Sequence, residues 1–203
     1  LAAVGTLFPD FQNIEQQVEP IGFTRTERNL GDSRPFFAEG SERFQMLSPY
    51  GIGRGFYSRR IREVDAGAKV YGQLDSLTRM GALVTLSPEN EWNAAGRIER
   101  TYGDRSMITG YGTIHKDRTR DETMVGGSGY VRSGNHYVFG HAANLSRAHG
   151  SASTVMITTD YEAPHLYSTL VYRSVPNDFQ PYLGLMGYTN YTGGFAYTSY
   201  SQN

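Results

Sequence analysis

From about Gly67 onward, this chain alternates apolar or small side chains with polar ones, segment after segment, with turn residues between the segments. Successive side chains of a strand point to opposite faces, so a period of two describes a sheet with one apolar and one polar face. Ala66, Ala68, Val70, Gly72 and Leu74 share one face, opposite Gly67, Lys69, Tyr71, Gln73 and Asp75. Met80, Ala82, Val84 and Leu86 oppose Arg79, Gly81, Thr85 and Ser87, and Leu83 alone breaks the polar side. Ala94, Gly96 and Ile98 then oppose Asn93, Arg97 and Glu99, and Ile108, Gly110, Gly112 and Ile114 oppose Thr109, Tyr111 and Thr113. Further strands are predicted at Glu122–Ser133, Asn135–Arg147, Ser151–Glu162, His165–Val175, Tyr182–Thr192 and Phe195–Ser201. Turns are expected at Ser87-Pro88-Glu89-Asn90, Gly103-Asp104, Ser133-Gly134-Asn135, His149-Gly150, Pro176-Asn177-Asp178 and Gly193-Gly194. The predicted fold class is all-β, an antiparallel up-and-down meander too long to stay open, for which a barrel is the natural closure.

Before the hairpins, which are expected to start after Gly53, Ala2–Phe8 is a short apolar run that stops at Pro9-Asp10, and Val18–Arg28 reads as a strand. Residues 29–51 form the longest irregular stretch. Phe36, Phe37 and Phe44 within it need burial, so this loop is expected to fold against another part of the molecule. The charged segment His115–Glu122 is expected to be a tip in water.

The alternating pattern has two solutions. A soluble sandwich or lipocalin-like barrel hides its apolar face inside, whereas an outer-membrane barrel turns that face to lipid and keeps the polar face in a wet lumen. No run approaches the ~18 apolar residues of a spanning helix, but spanning strands need only about 10 residues. Trp92, Tyr102, Tyr137, Tyr161 and Tyr172 lie near strand ends and suit either interfacial girdles or the rims of a sandwich. A net charge of -1 argues against nucleic acid as the main partner. With no cysteine, disulfides, thiolate catalysis and thiolate zinc sites are excluded.

Phe8-Pro9-Asp10-Phe11 followed by Arg34-Pro35-Phe36-Phe37-Ala38-Glu39-Gly40 resembles the start of a bacterial outer-membrane barrel family, domain-of-unknown-function family 5916. That family typically follows a carbohydrate-binding family 9-like domain. Its next motif is similar to Phe56-Tyr57-Ser58-Arg59-Arg60-Ile61, and Asp178-Phe179-Gln180-Pro181-Tyr182-Leu183-Gly184 resembles a later one. Phe8 stands where the family has Asn, and Ala38 where it has Leu. The resemblance implies that residues 1–203 are a single barrel region, a fragment of a larger outer-membrane barrel, with the lipid bilayer as partner. It also implies glycans or small solutes as candidate ligands.

Function divides accordingly. A polar lumen lined by Lys69, Arg79, Arg97 and Glu99 and narrowed by the 29–51 loop would make a channel or transport-related pore. Arg34, Phe36, Phe37 and Glu39 are the constriction candidates within that loop. Arg59 and Arg60, read as part of a strand, either line the lumen or hold the loop down through Glu39, Glu42 or Glu63. The alternative is a membrane anchor for a surface carbohydrate-binding module. A barrel-borne hydrolase would need a triad, and the best-spaced trio, Ser146, His149 and Asp160, lacks a nucleophile turn. No cofactor or metal is expected, since His136 and His141, five apart, face opposite sides of a strand. Gly126-Gly127-Ser128-Gly129 is expected to let a large aromatic or a neighbouring strand approach closely.

Overall fold

The structure is a computed structural model that describes residues 1–11, 30–47, 52–103 and 105–202. The alternating segments become ten strands of one antiparallel sheet. In spatial order they are β1 (Ala2–Leu7), β3 (Ala66–Gln73), β4 (Thr78–Ser87), β5 (Glu91–Tyr102), β6 (Ser106–Lys116), β7 (Asp121–Ser133), β8 (His136–Arg147), β9 (Gly150–Ala163), β10 (Leu166–Val175) and β12 (Tyr191–Tyr200). From β3 to β10 every strand pairs with its sequence neighbour, as an up-and-down meander requires. The sheet is open, with β1 and β12 as its two edges among the described residues. β2 (Gly53–Arg54) and β11 (Leu185–Met186) form a separate two-stranded ribbon.

Hairpin ends drift steadily along the strands. The β3–β4 ladder ends at Gln73 and Arg79, and the β5–β6, β7–β8 and β9–β10 ladders end successively further on, at Tyr102/Ser106, Ser133/His136 and Ala163/Leu166. The opposite ends retreat in the same direction, from Ser87/Glu91 to Arg147/Gly150 and Val175/Tyr191. Such a stagger is the register signature of strands tilted as in a barrel wall.

Two segments lie across one face and form a plug. The first, residues 30–47 and 52–64, contains a short helix α1 (Pro35–Ala38) and 3-10 turns at Ser41–Phe44 and Ser58–Arg60. The second runs from Pro176 through β11. Phe36, Phe37, Phe44, Met46, Ile52, Phe56, Ile61, Phe179 and Leu183 of the plug are buried with Leu83, Ala95, Tyr111, Met124, Ala143, Leu145 and Met156 of the sheet. Glycines allow the approach. A Cβ on Gly67 would lie 2.9 Å from the Phe36 ring, and one on Gly81 would lie 2.9 Å from the Cβ of Arg43.

The covered, inner face is the polar one. In cross-strand register it carries Lys69, Leu83, Ala95, Thr113 and Met124, then Thr85, Asn93, His115, Glu122 and Arg147, then Arg97, Tyr111, Gly126 and Ala143. The other face leaves Val84, Leu86, Ile98, Ile108, Val125, Val131, Val138, Ile157, Leu170 and Tyr172 exposed. Leu83, the apolar residue on the polar side of β4, is explained by its place in the core shared with the plug.

Several expectations need correction. Arg59 and Arg60 lie in a 3-10 turn and not a strand, so strand alternation does not aim either one. The hairpins begin at Ala66 and not after Gly53, because residues 55–65 belong to the plug. Of the 29–51 loop, the described part is a folded layer on the sheet. Tyr182–Thr192 is not one strand, since it holds only the two residues of β11 and the start of β12, and Gly193-Gly194 is not a turn but lies inside β12. A Cβ on Gly194 would collide with the Val171 carbonyl oxygen, so glycine serves close strand approach there. His115 and Glu122 are not at a wet tip. Both are on the inner face and almost fully buried, and only residues 117–120 turn between the strands. Tyr137 faces inward, with the Arg132 guanidinium 4.1 Å from its ring centroid. The strand expected at Val18–Arg28 lies outside the described residues.

Candidate functional site: the plugged inner face

The first plug segment is fastened by Arg34. Its guanidinium is buried, donates from Nε and Nη2 to both carboxylate oxygens of Asp32 (2.9 and 2.6 Å), and reaches the carbonyls of Ile61 (2.6 Å) and Ser58 (2.9 Å). The same group sits 4.3 Å from the Phe37 ring centroid, so one planar cation ties three turns of chain together. Burial by itself would raise the Asp32 carboxyl. The hydrogen bonds from Arg34 and Ser58 outweigh it and hold the group below the ordinary carboxylate range.

Lys69 of β3 is buried beneath α1 and donates to the carbonyls of Phe36 and Glu39, while Tyr71 donates its hydroxyl proton to the Glu39 carboxylate. Lysine thus grips carbonyls that a four-residue helix leaves unsatisfied, and tyrosine, two positions along the same strand, holds the side chain of the residue that ends it. Arg97 pairs with Glu99 on the inner face, and Arg79 approaches Glu99 at 3.8 Å from a more exposed position. Arg59 donates to the Gly31 carbonyl (3.2 Å) and Arg60 to that of Gly184 (3.3 Å). Both arginines therefore hold plug backbone. Phe36 and Phe37 meet edge-on at 5.0 Å within the core.

The second plug segment is held by a clasp that sequence reasoning missed. Glu122 accepts from Arg147 Nε (2.7 Å) and from the Tyr182 N–H, and Arg147 donates onward to the carbonyls of Asp178 (2.9 Å) and Gln180 (2.7 Å). The Tyr182 ring stacks on the His115 imidazole at 3.7 Å, with the Arg120 guanidinium 4.9 Å from its centroid. His115 is bracketed by Asn93 Oδ1 (2.7 Å) and Asp117 Oδ2 (3.1 Å). Asp117 is held well below the usual carboxylate range, first by the Thr119 N–H, with the Thr119 hydroxyl and the Arg120 N–H adding to it. The missed signal was the alternation itself, which already put His115 and Glu122 in the polar, inner register.

The structure brings Lys69, Glu39, Phe36 and Phe37 together in one layer and Arg97, Glu99 and Arg79 in another. It separates the hydrolase trio. Ser146 lies on the outer face, where its hydroxyl donates to Asn144, and Asp160 lies on the inner face bonded by Thr169. His136 faces outward against Tyr161 and His141 inward, as the five-residue spacing requires. Among the described residues no group of three metal-ligating side chains converges. Comparisons with family models, with curated proteins and with solved structures find no match for this chain.

Proposed function

We propose that this chain forms part of the wall and the internal plug of an outer-membrane β-barrel, and that the barrel is a channel or transport-related pore whose lumen the plug closes. The observation that carries this reading is the inverted burial: the polar face is covered by the plug and the apolar face is exposed. A second feature aligns with it. The exposed apolar side chains form a diagonal band, from Leu86 and Val84 on β4 through Ile98 and Ile108 to Val138, Ile157, Leu170 and Tyr172. That band drifts along the strands in the direction of the hairpin ends, so it stays level about an axis to which the strands are tilted. Off the band, the same face turns polar at Asn144, Ser146, Ser151 and Ser153. Tyr102 and Tyr161 flank the band on one side and Trp92 on the other, where amphipathic rings suit a lipid–water boundary.

Magnitude supports lipid as the environment of this band. Ten half-exposed branched or aromatic side chains, at about 1 kcal/mol each for completing burial, place ~10 kcal/mol at stake, comparable with the whole stability of a domain. A patch of that extent is unusual on a protein that lives in water. The resemblance to family 5916 belongs to the same proposal.

The test uses the absence of native thiols. The replacement Arg43→Cys with Gly81→Cys joins plug to wall at positions whose Cβ atoms would lie 2.9 Å apart, close enough for a disulfide after a small shift. In planar bilayers the oxidised pair should hold the pore shut, and reductant should restore wild-type current. No current from wild type or from the reduced pair would reject the pore. That result would favour the second reading, a membrane anchor for a surface carbohydrate-binding module, to which a permanently plugged barrel is suited.

A further inference from the structure

A cavity of about 230 Å³ lies at the rim of the first plug segment, lined by Gly31, Asp32, Ser33, Arg34, Arg59 and Arg62. No apolar side chain lines it, and Gly31, Ser33 and Arg62 are exposed, so it can be entered from solvent. It is smaller than the ~300–1,000 Å³ pockets of drug-sized ligands and suits a small, polar occupant.

Its charge is unbalanced. Asp32, the carboxylate of the lining, is already engaged: Oδ1 accepts from the backbone N–H and Nε of Arg34, and Oδ2 accepts from Arg34 Nη2 and the Ser58 hydroxyl. Its charge cancels that of Arg34, leaving Arg59 and Arg62. Arg59 uses one donor on the Gly31 carbonyl, and among the described residues neither arginine is paired with a carboxylate. Two guanidinium charges that no physiological pH removes therefore border one small space. Their placement is built into the plug. Arg34, only 4 % exposed, donates to the carbonyls of Ser58 and Ile61, the residues immediately before Arg59 and Arg62. The buried cation that fastens the plug thus also sets both arginines beside residues 31–34.

We propose that this cavity binds a small phosphate-bearing anion, held by Arg59 and Arg62. Guanidinium forks match phosphate oxygens in pairs, and a phosphate near two negative charges balances both arginines, where a single carboxylate would leave one over. Inorganic phosphate and a phosphate monoester share this chemistry. The site is argued from the plug's own residues and goes beyond the pore reading, so absence of conductance does not bear on it.

Isothermal titration calorimetry of the whole chain in non-ionic detergent, at constant ionic strength, tests it with inorganic phosphate and glucose 6-phosphate as probes. Wild type should bind at least one of them saturably near pH 7. Arg62 makes no hydrogen bond or ion pair among the described residues, so Arg62→Gln should keep the wild-type melting temperature while weakening binding about tenfold or more. Arg118→Gln, at an exposed arginine on the turn between β6 and β7, should leave binding unchanged. Affinity for glucose 6-phosphate should rise between about pH 5 and pH 7, as the second phosphate proton leaves. Binding of inorganic phosphate at least as tight as that of glucose 6-phosphate assigns the site to the free ion, and tighter binding of glucose 6-phosphate assigns it to a monoester. The proposal is overturned by any of four results: no saturable binding with a dissociation constant below about 1 mM, unchanged affinity in Arg62→Gln, equal weakening in Arg118→Gln, or competition by acetate as strong as that by phosphate.

Discussion

Adding one methyl group at Gly126 should cost far more than adding one at Gly129, three residues along the same strand. A Cβ on Gly126 would lie 2.6 Å from Cε2 of Tyr111, 2.7 Å from the Cβ of Ala143 and 2.8 Å from the carbonyl oxygen of Ala142. The tyrosine ring can rotate away, but the other two contacts are with backbone and with a Cβ fixed to it. Tyr111 is itself wedged beneath the plug core, so its ring has little room. Overpacking of this kind costs about 1–3 kcal/mol, and two rigid contacts argue for the upper half of that range. For a chain of this size each kcal/mol lowers the melting temperature by roughly 2–4 °C, so Gly126→Ala should melt about 4–12 °C early. At Gly129 a Cβ would meet nothing within 4 Å, and Gly129→Ala should be neutral or slightly stabilising, by up to about 1 kcal/mol, through reduced unfolded-state freedom. The assay is a circular-dichroism melt in detergent of wild type and both variants. If Gly126→Ala melts with Gly129→Ala, the packing of Tyr111 against the sheet under the plug is wrong.

Three further outcomes follow from the same geometry. Glu122→Ala removes the centre of the clasp and leaves Arg147, one-third exposed, without its carboxylate; a loss of about 3 kcal/mol is expected, read as faster proteolysis at residues 176–186 and a lower melting temperature. Asp32→Asn should lower stability at pH 7. The Asp32 pKa is depressed in the folded state, so its contribution is full above the unfolded value near 4 and fades as pH falls through the folded value. The gap between variant and wild type in melts should therefore close below about pH 4. Ile157→Arg, on the apolar band, should weaken folding into vesicles by about 2–4 kcal/mol in urea titrations, while Ser151→Arg on the same strand should cost about 1 kcal/mol or less.

Alternation of side chains made the up-and-down sheet legible in the sequence. It assigned the two faces of β3 to β6 correctly, because a period of two holds wherever a strand is regular. It left open which face is covered, since a soluble sandwich and a membrane barrel write the same pattern. That choice depended on Leu83 and on Phe36, Phe37 and Phe44, whose burial against the polar face is a tertiary fact joining distant parts of the chain. Local cues misled where one residue type serves two purposes. Gly193-Gly194 reads as a turn but provides close contact between β10 and β12. Arg59 and Arg60 sit among aromatic residues that suggest a strand but line a 3-10 turn. The clasp was hidden for a different reason. His115 and Glu122 border a run of charges, and only the packing of Tyr182, sixty residues beyond Glu122, removes them from water.

The most direct test of the account is the environment of the apolar band. Because the chain contains no cysteine, a single thiol can be placed at Ile98, Val138 or Ile157 on the band, at Ser151 beyond it, and at Thr113 on the inner face. Each is labelled with an environment-sensitive fluorophore after reconstitution into vesicles. Labels on the band should be quenched by brominated acyl chains and protected from iodide, with Ser151 showing the reverse and Thr113 protected from the lipid quencher. Quenching of the band positions by iodide with no effect of brominated lipid would contradict the account, and would place the apolar face against protein or water.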